Sequence, residues 1–182
     1  MSNKMSVDRR ALATRQRIAG ALLRLGGMRG LAAVSVGRLA REAGISRSTF
    51  YAHFSGLDDF LARSFAEMLA ALSLRSPDRS VLAVSEIIDH IASVGPVAQE
   101  IARSRHFPRM LLEGERALQR VCEARLSARH PAIAAADRQA TATLLAAGFI
   151  ALLRDWMDAP QGRSPAGVVQ RFERMERLLV PA

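Results

Sequence analysis

Arg47, Ser48, Thr49, Tyr51 and His53 bring a guanidinium, two hydroxyls, a phenol and an imidazole into seven consecutive positions. Each of these groups hydrogen-bonds readily to phosphate oxygens or to the edges of bases. Phe50 and Phe54 stand four residues apart in the same stretch, a spacing that puts both on one helix face and the polar set on the other. Ser35 and Ser46 each precede a short apolar-periodic run. A serine there caps a helix, and the helix start presents N–H groups that a backbone phosphate can meet.

Other chemistries find less support. The four histidines (His53, His90, His106, His130) and the single cysteine, Cys122, are scattered without an i, i+4 pair or a CxxC, so no metal site is expected. His90 follows Asp89 and serines are plentiful, yet no nucleophile elbow, triad-like motif, phosphate-binding loop or GxGxxG appears. Neither an enzyme nor a cofactor is expected.

Two short helices meeting steeply need a small residue where they touch and a residue tolerating positive φ at the turn. In the segment 35–54, Ala40 meets the first need and Gly44 the second, while Leu39, Ile45, Phe50 and Phe54 face the supporting helices. The pattern predicts a helix-turn-helix with its polar face outward. A structural helical hairpin with an incidental polar face is the alternative; the agreement of turn, packing and charge weighs against it.

The net charge is +9 over 182 residues. Residues 1–56 carry ten lysines and arginines against Asp8 and Glu42, whereas residues 57–182 carry 16 basic and 15 acidic groups. A local positive field attracts polyanions and gains from counterion release, so nucleic acid is the first partner to consider. An anionic membrane is the second, and a basic solvated surface is the bland alternative.

The elements that must position these groups follow from periodicity. Residues 1–10 are polar, basic and aperiodic and are expected to form a flexible tail. Leu12, Ile18, Ala21, Leu22 and Leu25 recur at helical spacing, with Gly26 and Gly27 expected to stop that helix. Short helices capped by Ser35 and Ser46 follow, and then a longer one from Leu57 through Leu72 that ends before Pro77. The head thus spans 11–72, with a boundary at 75–80 and a second domain at 78–182. That domain shows helical patterns at 81–94, 109–129 and 137–157, with a last helix from Ser164 to Leu179 carrying Pro165 in its first turn. The stretch around Pro96 and Pro108 reads as irregular. β-Branched alternation is absent, so the expected class is all-α with about nine helices. One cysteine excludes an internal disulfide and fits a reducing cytoplasm. No uninterrupted apolar run approaches the ~18 to 20 residues that span a bilayer, and the N-terminus lacks the apolar core of a secretory signal. A cytoplasmic protein with no membrane partner is expected.

These residues resemble the DNA-binding domain of the TetR (tetracycline-repressor) family of transcriptional regulators. The likeness runs from TRQRIAGALLRLGG through SVGRLAREAGISRSTFYAHF to GLDDFLARSF, over roughly residues 12–70, and its most family-specific part is the AGIS-to-FYAHF stretch. It implies a three-helix DNA-binding head whose recognition helix, at about 47–53, lies in the major groove. Tyr51 and His53 would stand near phosphates, and Ser35 and Thr14 would touch the backbone from flanking helix starts. It also implies a homodimer on a palindromic operator in double-stranded DNA, most often a repressor, answering to a small and largely apolar effector. One departure is Leu57 in FSGLDDF, where the family usually has a lysine that contacts phosphate. Two alternatives stand beside this reading: a helical binding protein of the same fold without operator recognition, and a small-molecule enzyme on a helical scaffold.

The C-terminal stretch AAGFIALLRDWMDAPQGRSPAGVVQRFERMERLL resembles the family's final two helices. Val168, Phe172, Met175 and Leu179 fall at i, i+4, i+7 and i+11, one stripe of the last helix. Ala142, Ala146, Ala147, Gly148 and Ala151 give the preceding helix small surfaces for close approach. Two such helices from each of two chains would form a four-helix bundle, with Ala147, Ala151, Val168, Phe172, Met175 and Leu179 at the dimer interface. An intramolecular core is the alternative. The resemblance further implies a ligand pocket within about 81–157 whose occupancy moves the heads apart. His90, Phe107, Met110, Cys122, Phe149 and Trp156 are candidates to line it, with ordinary core as the alternative. Arg103, Arg105, His106 and Arg109 form a basic cluster suited either to an anionic ligand or to plain solvation.

Overall fold

The computed structural model describes residues 2–29, 34–75, 80–158 and 164–180, with the side chains of 2–12 and 27–29 outside the description. Among the described residues are nine helices and no strand: α1 (Ser2–Arg29), α2 (Val36–Glu42), α3 (Arg47–His53), α4 (Leu57–Ser73), α5 (Val84–Ser93), α6 (Pro96–Ala102), α7 (Phe107–Arg129), α8 (Ala135–Asp158) and α9 (Pro165–Leu179). The all-α expectation holds. The chain divides into two compact units, Met1–Leu61 and Ala62–Ala182. The division falls within α4: Phe60 meets Phe50 and Phe54 edge-on, while Leu69 and Leu72 join the core of the second unit.

In the first unit, α1 differs from expectation at both ends. It begins at Ser2, where a tail was expected, and runs through Gly26 and Gly27 to Arg29. A glycine costs a helix about 1 kcal/mol relative to alanine, whereas full burial of Ile18 and near-full burial of Leu22 contribute roughly 1.5–3 kcal/mol each. Ile18 and Leu22 anchor the turns before the glycines, and the helix continues through both. The basic side chains of Lys4, Arg9 and Arg10 lie outside the described residues.

In the second unit, α7 packs chiefly on α8, α8 on α9 and α6, and α5 on α9. Leu118 and Cys122 of α7, Leu145 and Phe149 of α8 and Phe172 of α9 are wholly buried. Two glycines set how closely helices approach. A Cβ on Gly114 would come within 2.8 Å of Leu69 Cδ1, and one on Gly148 within 2.5 Å of Met175 Sδ. The proline-marked stretch contains α6, which sequence reading missed: Pro96 stands in its first turn, where the missing N–H is no loss. Pro108 likewise opens α7.

Glu176, on the buried side of α9, is 8% exposed. Its carboxylate accepts from the backbone N–H of Val81 and lies 2.8 Å from the Ser80 hydroxyl. Arg125 and Arg129 of α7 donate to the carbonyls of Val81 (3.1 Å) and Ser80 (2.9 Å). An acid is tolerated in a core only when its hydrogen bonds are made, and these bind the chain at Ser80 and Val81 to α7 and α9.

By length and composition α8 is apolar enough to cross a membrane, with a hydropathy of 1.3 over its most apolar window. Ala142, Leu145, Ala146, Phe149, Ile150, Leu153 and Trp156 are buried within the protein, while Leu144 and Ala151 are exposed.

Candidate nucleic-acid interface

The outward helix is built by two serine caps and one turn. Ser35 is extended (φ −130°) and its Oγ accepts from the N–H of Arg38, opening α2. Leu39 and Ala40 of α2 are buried. The chain then reverses at Gly44, whose φ of +63° lies in the left-handed region that glycine enters without steric cost. The Ile45 N–H reaches back to the Ala40 carbonyl at 2.9 Å and closes the turn. Ser46 caps α3, accepting from the N–H of Thr49 at 3.0 Å. Its hydroxyl also lies 2.8 Å from both Ser48 Oγ and Thr49 Oγ1. Ser46 therefore caps α3 while remaining exposed at its start.

Phe50 is fully buried and fixes the roll of α3. Its ring meets those of Tyr51 at 5.7 Å, Phe54 at 5.5 Å and Phe60 at 6.0 Å, separations typical of favourable aromatic pairs. With that wedge inside, Arg47, Ser48 and Tyr51 are exposed, and Thr49 and His53 are half-buried. Tyr51 keeps 52% of its surface in solvent, high for an aromatic residue. The Arg47 side chain extends over the start of α2, 3.9 Å from where a Cβ on Gly37 would stand. At seven residues, α3 is about 10 Å long, which suits a major groove about 12 Å wide.

Arg17 and Arg24 of α1 have roles that sequence reading missed. Arg17 donates to the Gly44 carbonyl at 2.8 Å, and Arg24 pairs with Glu42 at 2.7 Å. Both buttress the turn. Their spacing of seven residues, two turns on one helix face, was the only signal for it. Glu42 is the sole acid between residues 13 and 56, and with Arg24 beside it the surface around α3 keeps an excess of positive charge. Arg38, Arg41 and Arg47 are all exposed there.

Thr14 was expected at a helix start. It lies deep within α1 and half-buried, because α1 extends toward the N-terminus, and so it presents no helix end. Leu57 is the first residue of α4 and half-buried.

The remaining candidates lie in the second unit. Phe107, Met110, Cys122 and Phe149 are core, each at most 5% exposed, and none of them lines the cavity described below. His90 is exposed on α5, which removes it from any apolar lining. Trp156 borders a real cavity, described below. Of the interface candidates, Val168 (1% exposed) and Phe172 (0%) are core of a single chain, and Phe172 meets Phe149 edge-on at 5.7 Å; neither can contact a second chain. Ala151 is exposed, and Ala147, Met175 and Leu179 are half-buried. In the basic cluster, Arg103, Arg105 and Arg109 are exposed and His106 is half-buried. Burial pushes the Cys122 thiol up to about 12, with Glu176 adding to the effect and Arg125 opposing it. Among the described residues, no three His, Cys, Asp or Glu side chains converge as metal ligands would.

Comparison with known proteins bears on the same elements. Residues 18–63 match the family described as bacterial regulatory proteins, tetR family. No curated protein matches the chain. Solved structures of similar fold include the TetR family repressor AlkX from Dietzia sp., at 20% identity over 91% of this chain and 94% of that one, TM-score 0.63. Another is the dihydroxyacetone kinase operon activator DhaS, at 16% identity over 91% and 97%, TM-score 0.62. A third is SmeT in its triclosan complex, at 21% identity over 90% of each chain, TM-score 0.54.

Proposed function

We propose that this chain, whose residues 18–63 match the tetR family of bacterial regulatory proteins, is a homodimeric, effector-responsive repressor that binds a palindromic operator in the cytoplasm. The observation that carries the reading is the outward face of α3. A left-handed glycine and a buried aromatic wedge hold Arg47, Ser48 and Tyr51 in solvent amid exposed arginines. Guanidinium, hydroxyl and phenol groups so held serve phosphates and base edges, and the surrounding charge supplies the sequence-independent attraction.

Two-fold symmetry is supported by the outer face of α8. Leu144 is 54% exposed, Ala151 is exposed, and Ala147 and Gly148 are half-buried beside Met175 of α9. An apolar, small-residue face on paired helices suits a four-helix contact between copies. One seven-residue recognition helix gives little affinity, whereas two reach both half-sites of a palindrome. Repression is the sense the family resemblance implies; relatives of this fold include both a repressor and an activator. The apolar effector is supported by the triclosan complex of SmeT.

Leu57, apolar where the family usually offers a lysine, motivates the alternative of a same-fold protein without operator recognition. Fluorescence anisotropy with DNA from the gene's own upstream region, at several salt concentrations, decides between them. The proposal expects a specific complex at least about 1,000-fold tighter than that with random DNA and a steep salt dependence. Equal affinity for both DNAs would favour the alternative.

A further inference from the structure

One cavity in the second unit has a lining unlike its surroundings. It occupies about 220 Å³ and is bounded by Ile91, Ala92, Gly95, Ala98, Gln99, Trp156, Met157 and Pro165. Among the described residues no charged side chain lines it. Ionic ligands are thereby disfavoured, since an unpaired charge transferred to such a site loses its hydration without replacement. Trp156, only 8% exposed, supplies a flat aromatic wall. Gln99 is the one described lining residue whose side chain both donates and accepts hydrogen bonds, the Trp156 indole N–H being a donor only, and the Gln99 amide has no partner among the described residues. The backbone keeps the space open: Gly95 has a φ of +50°, where a side chain would be strained, and Pro96 starts α6 directly after it.

Size narrows the occupant. A dry apolar cavity of about 150 Å³ accepts benzene, so 220 Å³ accommodates a six-membered ring with a few further atoms. Drug-sized ligands call for roughly 300–1,000 Å³ and would extend past Ala92, Gln99 and Pro165, which are exposed.

We propose that this cavity between α5, α6 and the C-terminal end of α8 is the effector site, and that it takes a small, uncharged, single-ring or comparably compact molecule bearing one hydrogen-bonding group, which meets the Gln99 amide. The ring lies against Trp156. This rests on the effector-responsive reading above and gives that effector a place and a chemical class.

Trp156 is the chain's only tryptophan, so its fluorescence reads the cavity directly. The intact protein is titrated with cyclohexanone, with methylcyclohexane, and with cyclohexanecarboxylate as probes. Saturable change with cyclohexanone, weaker binding of methylcyclohexane, and none with the carboxylate are expected. Gln99→Leu should weaken cyclohexanone binding about 2- to 10-fold and leave methylcyclohexane unaffected. Ala98→Leu, which fills the space, should abolish both. Gln99 is exposed, so its variant folds and carries the test even if Ala98→Leu does not. No saturable response to any ring probe, or equal binding by Gln99→Leu, overturns the assignment. Operator affinity is then measured with cyclohexanone present. A fluorescence response without any change in DNA binding would keep the cavity as a binding site, overturn its role as effector site, and leave the DNA-binding proposal intact.

Discussion

Replacing Gly44 tests the feature on which the candidate interface depends. Its φ of +63° costs an alanine about 1–2 kcal/mol. The added Cβ would also stand 2.8 Å from Arg17 Nη2, the end of a flexible side chain that moves aside at the expense of its 2.8 Å bond to the Gly44 carbonyl. That exposed bond contributes about 0.5–1 kcal/mol, the low end for a hydrogen bond. Gly44→Ala should therefore destabilise by about 1.5–3 kcal/mol. Gly44→Asn should cost less, because asparagine tolerates the left-handed region, and Gly44→Val more, because β-branching does not. Urea unfolding followed by far-UV circular dichroism measures the series; with a slope of about 2 kcal/mol per molar, the alanine midpoint falls by about 1 M. Arg17→Ala should matter in the wild-type background and scarcely at all beside Gly44→Ala, a non-additivity characteristic of groups in contact. Alanine and valine variants both within about 0.5 kcal/mol of wild type would show that the turn does not need glycine, and the reasoning about α3 would fail with it.

Further predictions concern the face, the interface and the thiol. Arg47→Ala and Tyr51→Ala should each weaken operator binding by about 1–3 kcal/mol where the contact is to a base, with helicity and oligomeric state unchanged; full affinity in both would reject the assigned face. Ala151→Arg should give folded monomers in sedimentation, because Ala151 is exposed. Phe172→Ala, at 0% exposure, should instead destabilise the chain by about 3–5 kcal/mol; a persistent dimer in the first would refute the α8 face. Cys122, with its thiol raised from 9.0 to about 12 chiefly by burial, should resist thiol reagents in the native protein and react on unfolding. The unfolded chain loses this proton first as pH rises above 9.0, so stability should fall between there and about 12; a Cys122→Ala variant with the same alkaline decline would contradict that assignment.

The helices of the head were legible wherever capping, periodicity and turn chemistry agreed. Ser35, Gly44 and Ser46 act locally, so their spacing announced α2, the turn and α3 correctly. Prolines misled at Pro96 and Pro108, since a breaker in a helix interior is a starter in its first turn, and sequence alone does not say which turn it occupies. The stripe on α9 is legible in the sequence as periodic, but its spacing does not name its partner. A stripe that packs on its own chain and one that packs on a copy have the same spacing, and only burial shows that Val168 and Phe172 are internal.

Composition, charge placement and local turn rules determined an all-α chain with a basic head and an outward polar helix, because those signals act within a few residues of one another. The tertiary structure alone decided that Arg17 and Arg24 hold the turn, that Glu176 is a satisfied buried acid, that Cys122 and Phe149 are core, and that space remains beside Trp156. Each of those depends on atoms far apart in sequence meeting in space, and no periodicity along the chain encodes such a meeting.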